Sequence, residues 1–229
     1  MRIHDITLQT DKLAEQRAFY VDVLGLPLLA EGDDSIALQA GATRLNFVQG
    51  APACYHFAFN IPRNQFDEAK SWLEQRTALA VWDGQDEIHW KAWNAHAVYF
   101  YDPAGNIVEF IARHNLPNDS DVPFSGARLC EVSEIGLAAA DVSQLALTLQ
   151  EEAGIPVWDA GDGEVFTALG DDHGLFIIVR HGRPWFAGNG RVADFYPLRL
   201  VMQGSKAKTV PLNDLPYQIK LENKWSNHD

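Results

Sequence analysis

Residues Ala97–Arg113 read AVYFYDPAGNIVEFIAR and decide the fold of the chain. Two apolar runs flank a turn in which Pro103 presets φ and Gly105 can adopt a positive φ, so the stretch predicts two antiparallel strands. Within the second strand, Glu109 is the one carboxylate among apolar neighbours. It needs a partner such as a cation or a hydrogen-bond donor, because an isolated buried charge is too costly.

This hairpin completes a β-α-β-β-β unit. The unit begins with a strand at 55–61, continues with a helix at 66–76, and has a further strand at 78–82. Residues 83–94 are predicted to form an insertion, a loop or lid at one end of the sheet. On the first strand, side-chain alternation separates a polar face from an aromatic face, which indicates a lined cavity on one side and helix packing on the other.

The chain before residue 55 has the same order of elements, so the two units form an internal repeat. His4 and His56 lie near the start of the first strand of each unit and are taken as equivalent. Asn46 in the last strand of the first unit matches Glu109 in the second. These equivalences predict that residues from both units line one cavity.

The predicted fold class is α+β, with paired βαβββ units forming a half-barrel sheet and helices outside. Residues 1–114 form the first domain, and 115–127 form a polar linker with two prolines and a glycine. Residues 128–229 form a second, degenerate domain of the same kind, with a shortened fourth unit. Its ligand-equivalent positions hold Ser133 and Ile177, so no metal chemistry is expected there.

Two histidines and one glutamate form the donor set of a 2-His-1-carboxylate metal site, and His4, His56 and Glu109 are the predicted ligands. Such a set leaves coordination positions open for a substrate, and its imidazole and carboxylate donors suit Fe(II), the favoured ion. Mn(II), Zn(II) or Ni(II) are possible with the same donors.

Two motifs resemble the vicinal oxygen chelate superfamily, which includes glyoxalase I, bleomycin-resistance proteins, fosfomycin thiol transferases and extradiol dioxygenases. They read His4…Phe19-Tyr20-x-x-x-Leu24-Gly25 and Tyr99-x-x-Asp102-Pro103-x-Gly105-Asn106-x-x-Glu109. The resemblance implies a metal that binds two adjacent substrate oxygens.

Among the reactions of that superfamily, extradiol-type ring cleavage is favoured. By resemblance, Tyr99 would orient the substrate, and His89 or His96 would handle protons, although neither lies at the spacing that the family motif has.

Three alternatives stay open. A glyoxalase-like isomerase or lyase would need a carboxylate where Asn46 stands, because an amide cannot act as a base. A thiol transferase would need cations for an anionic substrate, and Arg44 is the one candidate. A non-catalytic sequestering protein could bind an aromatic ligand in the same cavity.

The chain has 229 residues and a net charge of −13. It has no run of basic residues for nucleic acid and no window of ~18 apolar residues for a membrane span. The small-molecule substrate is therefore the predicted partner, with a homodimer possible. Cys54 and Cys130 are far apart, which favours reduced thiols and a cytoplasmic location.

Overall fold

The computed structural model describes residues 1–212 and 214–223. In this part of the chain the strands form two mixed sheets, and there are three α-helices. The first unit contains β1 (Ile3–Thr10), α1 (Leu13–Arg17), a π-helical turn (Ala18–Val23), β2 (Leu28–Glu31), β3 (Ser35–Ala40) and β4 (Thr43–Gln49). The second contains β5 (His56–Ile61), α2 (Phe66–Glu74), β6 (Ile88–Trp90), a 3-10 turn (Lys91–Trp93), β7 (Ala95–Tyr101) and β8 (Ile107–Arg113).

The third unit follows a 3-10 turn (Gly126–Arg128) and contains β9 (Glu131–Ala139), α3 (Val142–Ala153), β10 (Val157–Asp159), β11 (Phe166–Asp171) and β12 (Gly174–Arg180). The shortened fourth unit contains β13 (Leu198–Gln203), β14 (Lys208–Thr209) and β15 (Tyr217–Glu222). The predicted α+β fold of repeated βαβββ units is confirmed.

Local sequence signals place the helix ends. The Asp141 side chain caps α3 by accepting a bond of 2.9 Å from the Gln144 backbone N–H, and Gly154 ends the helix at φ +67°. Gly25 follows the first helical segment at φ +71°. A left-handed conformation is open to glycine at little cost, which is why both helices end at one.

In the second unit, the strand predicted at 78–82 is reduced to isolated bridges at Leu79 and Trp82. The strand that pairs with β7 is β6, inside the region predicted as an insertion. The insertion is therefore partly an edge strand of the sheet.

Each sheet combines two units, and the pairs are not the ones that their order along the chain suggests. The eight-stranded sheet has the order β10-β11-β12-β9-β5-β8-β7-β6, so it joins units two and three. The seven-stranded sheet, β14-β15-β13-β1-β4-β3-β2, joins units one and four. Both sheets thus draw on both predicted domains, and the proposed division near residue 114 does not separate one sheet from the other.

Each face of the eight-stranded sheet has its own cluster of buried side chains. Phe57 and Phe110 belong to the large core that also holds Phe66 and Leu73 of α2, and we call this side the helix face. Ala58, Tyr99, Ile111 and Ile177 belong to a second cluster on the other side, the cavity face. The aromatic and polar faces predicted for β5 correspond to these two sides of the sheet. The polar face of β5 lies on the cavity face, so the site is expected there.

Candidate metal centre

The turn between β7 and β8 is held by a buried aspartate. Asp102 Oδ1 accepts bonds of 3.0 Å from the backbone N–H groups of Ala104 and Asn106. Its Oδ2 accepts from Tyr20 at 2.9 Å and from Gln16 at 2.7 Å. This turn sets the β7–β8 register, in which Tyr99 pairs with Glu109.

Three side chains from adjacent strands converge on the cavity face. The ligand atoms of His56, Glu109 and Glu134 all lie within 4.8 Å of one another, and all three residues are buried. His56 Nε2 is 3.7 Å from Glu109 Oε2 and 3.8 Å from Glu134 Oε2. Donors bound to one cation at about 2.0–2.2 Å lie roughly 3–4 Å apart, so the spacing suits a divalent metal.

The backbone orients His56 for this role. His56 Nδ1 lies 3.1 Å from the carbonyl oxygen of Ile107, which accepts a proton but cannot donate one. The ring therefore carries its proton on Nδ1 and presents the Nε2 lone pair to the two carboxylates. Histidines that bind metals are commonly fixed by such a bond on the other ring nitrogen.

Glu134 is held by a buried cation. Arg113 is fully buried and its Nη2 donates to Glu134 Oε1, while its Nε donates to Asn60 Oδ1 at 3.2 Å. Glu134 Oε2 stays directed toward His56. One oxygen of this carboxylate is thus anchored, and the other faces the cavity.

Glu109 has a different environment. Burial raises the pKa of its carboxyl group well above the usual value, and the neighbouring charge of Glu134 raises it further. Arg113 and a hydrogen bond from Tyr99 act in the opposite direction. Tyr99 in turn accepts a bond of 3.2 Å from Trp90 Nε1. A divalent cation would offset the repulsion between the two carboxylates, so the donor set fits one.

These residues line a cavity of about 380 Å³. Its walls are mainly aromatic and include Trp90, Trp93, Phe166, Trp185 and Phe186, with Lys91, Arg183 and Asp159 as further charged residues. This composition suits a small substrate with an apolar body and polar or anionic substituents.

The connection between β12 and β13, residues 181–197, forms part of the cavity wall. Phe186 packs on Trp90 with ring centroids 5.0 Å apart, and Trp185 packs on His56 at 5.3 Å. Trp185 is 7% exposed, and its Nε1 has no hydrogen-bond partner in residues 1–212 and 214–223. The Trp185 ring forms an aromatic wall beside His56.

The structure brings His56 and Glu109 together but places His4 elsewhere. His4 lies on β1 of the seven-stranded sheet and is not part of the three-residue group. At this point the pairing of β1 with β13 shifts by one residue, between Ile3 and Asp5. Because of that bulge, Asp5 rather than His4 occupies the position equivalent to His56.

The same kind of bulge explains Glu134, which sequence reasoning missed. The pairing of β5 with β9 shifts between Ala58 and Phe59, so that Ala58 pairs with Glu134 and Phe59 with Val132. Ser133 is the extra residue. The third unit, expected to contribute no chemistry at Ser133 and Ile177, supplies a carboxylate from the next position. The sequence contained a signal for Glu134. Ile135 and Leu137 lie on the helix face, and because side chains alternate along a strand, Glu134 faces the cavity.

Tyr99 lies at the site, but His89 and His96 lie on the opposite side of the sheet. Their rings stack with centroids 4.2 Å apart, and His96 packs on Phe66 of α2. His96 is three residues from Tyr99 along one strand, and an odd separation puts side chains on opposite faces. They cannot reach the cavity as proton-handling groups.

Comparison with known proteins agrees with this fold. Residues 2–110 match the model of the glyoxalase/bleomycin resistance protein/dioxygenase superfamily. A putative dioxygenase structure from Bacillus subtilis superimposes over 98% of this chain and 86% of its own, with a TM-score of 0.61 and 15% identity. The first half of the chain thus matches this superfamily, over residues 2–110.

Other members agree in fold or over part of the chain. A glyoxalase I mutant structure from Zea mays covers 96% of this chain and 91% of its own, with a TM-score of 0.57 and 12% identity. Metallothiol transferase FosB from Staphylococcus epidermidis is 28% identical over 115 residues, which are 47% of this chain and 80% of that protein. The matched superfamily is one of mostly metal-dependent enzymes that bind small molecules, and this chain has a His/Glu/Glu group that could hold a metal ion.

No helix in residues 1–212 and 214–223 is both long and apolar enough to cross a bilayer.

Proposed function

We propose that this protein is a divalent-metal-dependent isomerase or lyase that moves a proton on a small substrate with two adjacent oxygens. The observation that carries the proposal is the meeting of two carboxylates and one imidazole in one aromatic cavity. In the sequence, the amide of Asn46 disfavours a glyoxalase-like reaction. Asn46 lies on the other sheet, and the partner carboxylate in this cavity is Glu134.

His56, Glu109 and Glu134 are the proposed ligands. With a divalent cation bound, they would supply a Lewis acid for substrate oxygen, which would acidify the neighbouring C–H bond. With a mixed set of imidazole and carboxylate donors, Fe(II), Mn(II), Zn(II) and Ni(II) are all compatible.

The two carboxylates have different tasks. Glu134 remains a ligand, since Arg113 holds one of its carboxylate oxygens and the other faces His56. Glu109 is the proposed base: it takes the proton from one substrate carbon at a carboxylate oxygen and returns it to the neighbouring carbon. Tyr99, held by Trp90, fixes the orientation of Glu109. Positioned bases of this kind contribute about 10²- to 10⁴-fold in rate.

The walls of the cavity favour a substrate with a planar or apolar body. Trp90, Trp185 and Phe186 surround the space beside the ligands. Arg183 and Lys91 favour a negative charge at the far end of the substrate.

A second candidate is extradiol ring cleavage with Fe(II), the reaction favoured by sequence. The position of Tyr99 beside Glu109 and the aromatic walls support it, since a catechol would fit between the rings. It ranks second because the cavity group has one imidazole instead of two, and because His89 and His96 face the opposite side.

The decisive experiment measures metal content and turnover separately. Protein purified without chelators is analysed for metals and assayed with a hemithioacetal of an α-oxoaldehyde and with catechol. We expect Glu109→Gln to lower hemithioacetal turnover by about 10²-fold or more while part of the metal is retained. Glu134→Gln should lower metal content first. Arg128→Gln, on the exposed surface, is the control.

Three results would redirect the proposal. Unchanged turnover in Glu109→Gln contradicts the assignment of the base. Iron with catechol turnover establishes the second candidate. A protein without metal that binds aromatic compounds tightly but converts neither substrate would be a sequestering protein.

Cys54 and Cys130 are both free thiols, which supports the cytoplasm as the proposed location.

A further inference from the structure

The seven-stranded sheet contains a counterpart of the metal cavity with different chemistry. The register of β1 with β4 repeats that of β5 with β8 along the length of the strands. In this comparison Asp5 takes the position of His56, and Asn46 takes the position of Glu109. Two of the three metal donors are therefore replaced.

The third donor position is replaced by a cation. Across β5 and β9, Ala58 pairs with Glu134. Across β1 and β13, the equivalent residue Thr7 pairs with Arg199. A guanidinium group thus lies where the metal cavity has a carboxylate. At this position the seven-stranded sheet therefore repels a metal ion and attracts an anion.

A cavity of about 540 Å³ is present at this place, and Arg44 and Arg199 both line it. It is larger than the metal cavity and more open to solvent. Its walls also include Asp5, Thr7 and Asn46 from the central strands β1 and β4, with apolar surface from Ala37 of β3. The site is therefore built on rigid strands.

Arg44 is partly engaged by its neighbours in this cavity, and Arg199 is the more available of the two cations. Asn46 Nδ2 donates to Asp5 Oδ1 at 2.8 Å, while Arg44 Nε donates to Asn46 Oδ1 at 3.0 Å and lies 3.8 Å from Asp5 Oδ2. Glu31, also in the wall, is 3.3 Å from Arg17. Within the described part of the chain, Arg199 makes neither a hydrogen bond nor a salt bridge within 4.0 Å.

We propose that this second cavity binds a small oxyanion, a carboxylate or phosphate group, between Arg44 and Arg199. The planar fork of arginine matches both groups with two parallel N–H···O bonds. Asp5, held in place by Asn46, accepts a hydrogen bond from a hydroxyl group carried by the same molecule. Because the chain has a net charge of −13, binding of an anion here depends on direct contact with these two guanidinium groups and not on the overall charge.

The test is a titration of the full chain with inorganic phosphate and, separately, with lactate, followed by NMR chemical shifts or calorimetry. Sodium chloride at equal ionic strength corrects for non-specific screening. We expect saturable binding that Arg199→Gln and Arg44→Gln each weaken at least tenfold. Preference for phosphate or for lactate then identifies the group that the cavity selects.

Arg183→Gln tests the alternative anion site, because Arg183 lines the metal cavity. The matched control is Arg128→Gln, which removes an exposed arginine outside both cavities. Arg183→Gln and Arg128→Gln should each bind both probes like the parent. Loss of binding in Arg183→Gln with retention in Arg199→Gln would assign the anion to the metal cavity and overturn the proposal. Binding no stronger than chloride would overturn it as well. Arg44 and Arg199 are exposed, so both variants are expected to fold.

Discussion

Replacing Arg113 with methionine tests the electrostatic arrangement behind the metal centre. Arg113 is fully buried and bonds to Glu134, whose side chain is 3% exposed. Methionine preserves much of the volume but leaves the Glu134 carboxylate buried without its cation. Breaking a buried pair in this way costs about 3–5 kcal/mol. The bond to Asn60 is lost too, which adds about 1 kcal/mol.

The total loss is about 4–6 kcal/mol, and for a protein of this size each kcal/mol changes Tm by roughly 2–4 °C, so Arg113→Met should lower Tm by roughly 8–24 °C. The assay is thermal and urea unfolding of chelator-treated protein. A second change, Glu134→Gln, removes the stranded charge. The double variant should therefore be more stable than Arg113→Met alone, with a coupling of about 2 kcal/mol or more.

Addition of a divalent cation should restore part of the stability that Arg113→Met loses. At a concentration of 100 times Kd, a ligand of the folded state adds about 2.7 kcal/mol. Arg128→Met, which removes an exposed arginine, should shift Tm by no more than a degree or two. The reasoning would be refuted by a loss below about 1 kcal/mol in Arg113→Met, or by a double variant no more stable than the single one.

Three further predictions concern the turn, the cavity wall and the thiols. Asp102→Asn places an amide NH₂ among hydrogen-bond donors, so urea unfolding should give a loss of about 2–3 kcal/mol. Gly136→Ala puts a Cβ 2.5 Å from the Trp185 ring, so it should displace that indole, change tryptophan fluorescence and cost about 1–3 kcal/mol. Burial raises the pKa of Cys54 and of Cys130 to about 11. Their alkylation rates should therefore be low at pH 7.5 and rise about tenfold per pH unit to pH 9.5, while a flat profile would contradict this.

The local parts of the fold follow from the sequence. Three features depend only on residues that are close together in the sequence. They are the turn around Pro103 and Gly105, the alternation on β5 and the capped helix α3. Such features follow from periodicity and backbone preference, and they placed His56 and Glu109 on one face of their strands. The position of His96 was available from the same rule, since it is an odd number of residues from Tyr99.

Strand partners and register were decided by the tertiary structure. From sequence, the first two units are expected to pair, but the sheet containing His56 is completed by the third unit, with Glu134 on β9. The physical reason is that the pairing of similar strands depends on the packing of whole sheets, which no local pattern records. A one-residue bulge then reverses which side chains face the cavity, and so Asp5 takes the place expected for His4 while Glu134 reaches the metal centre.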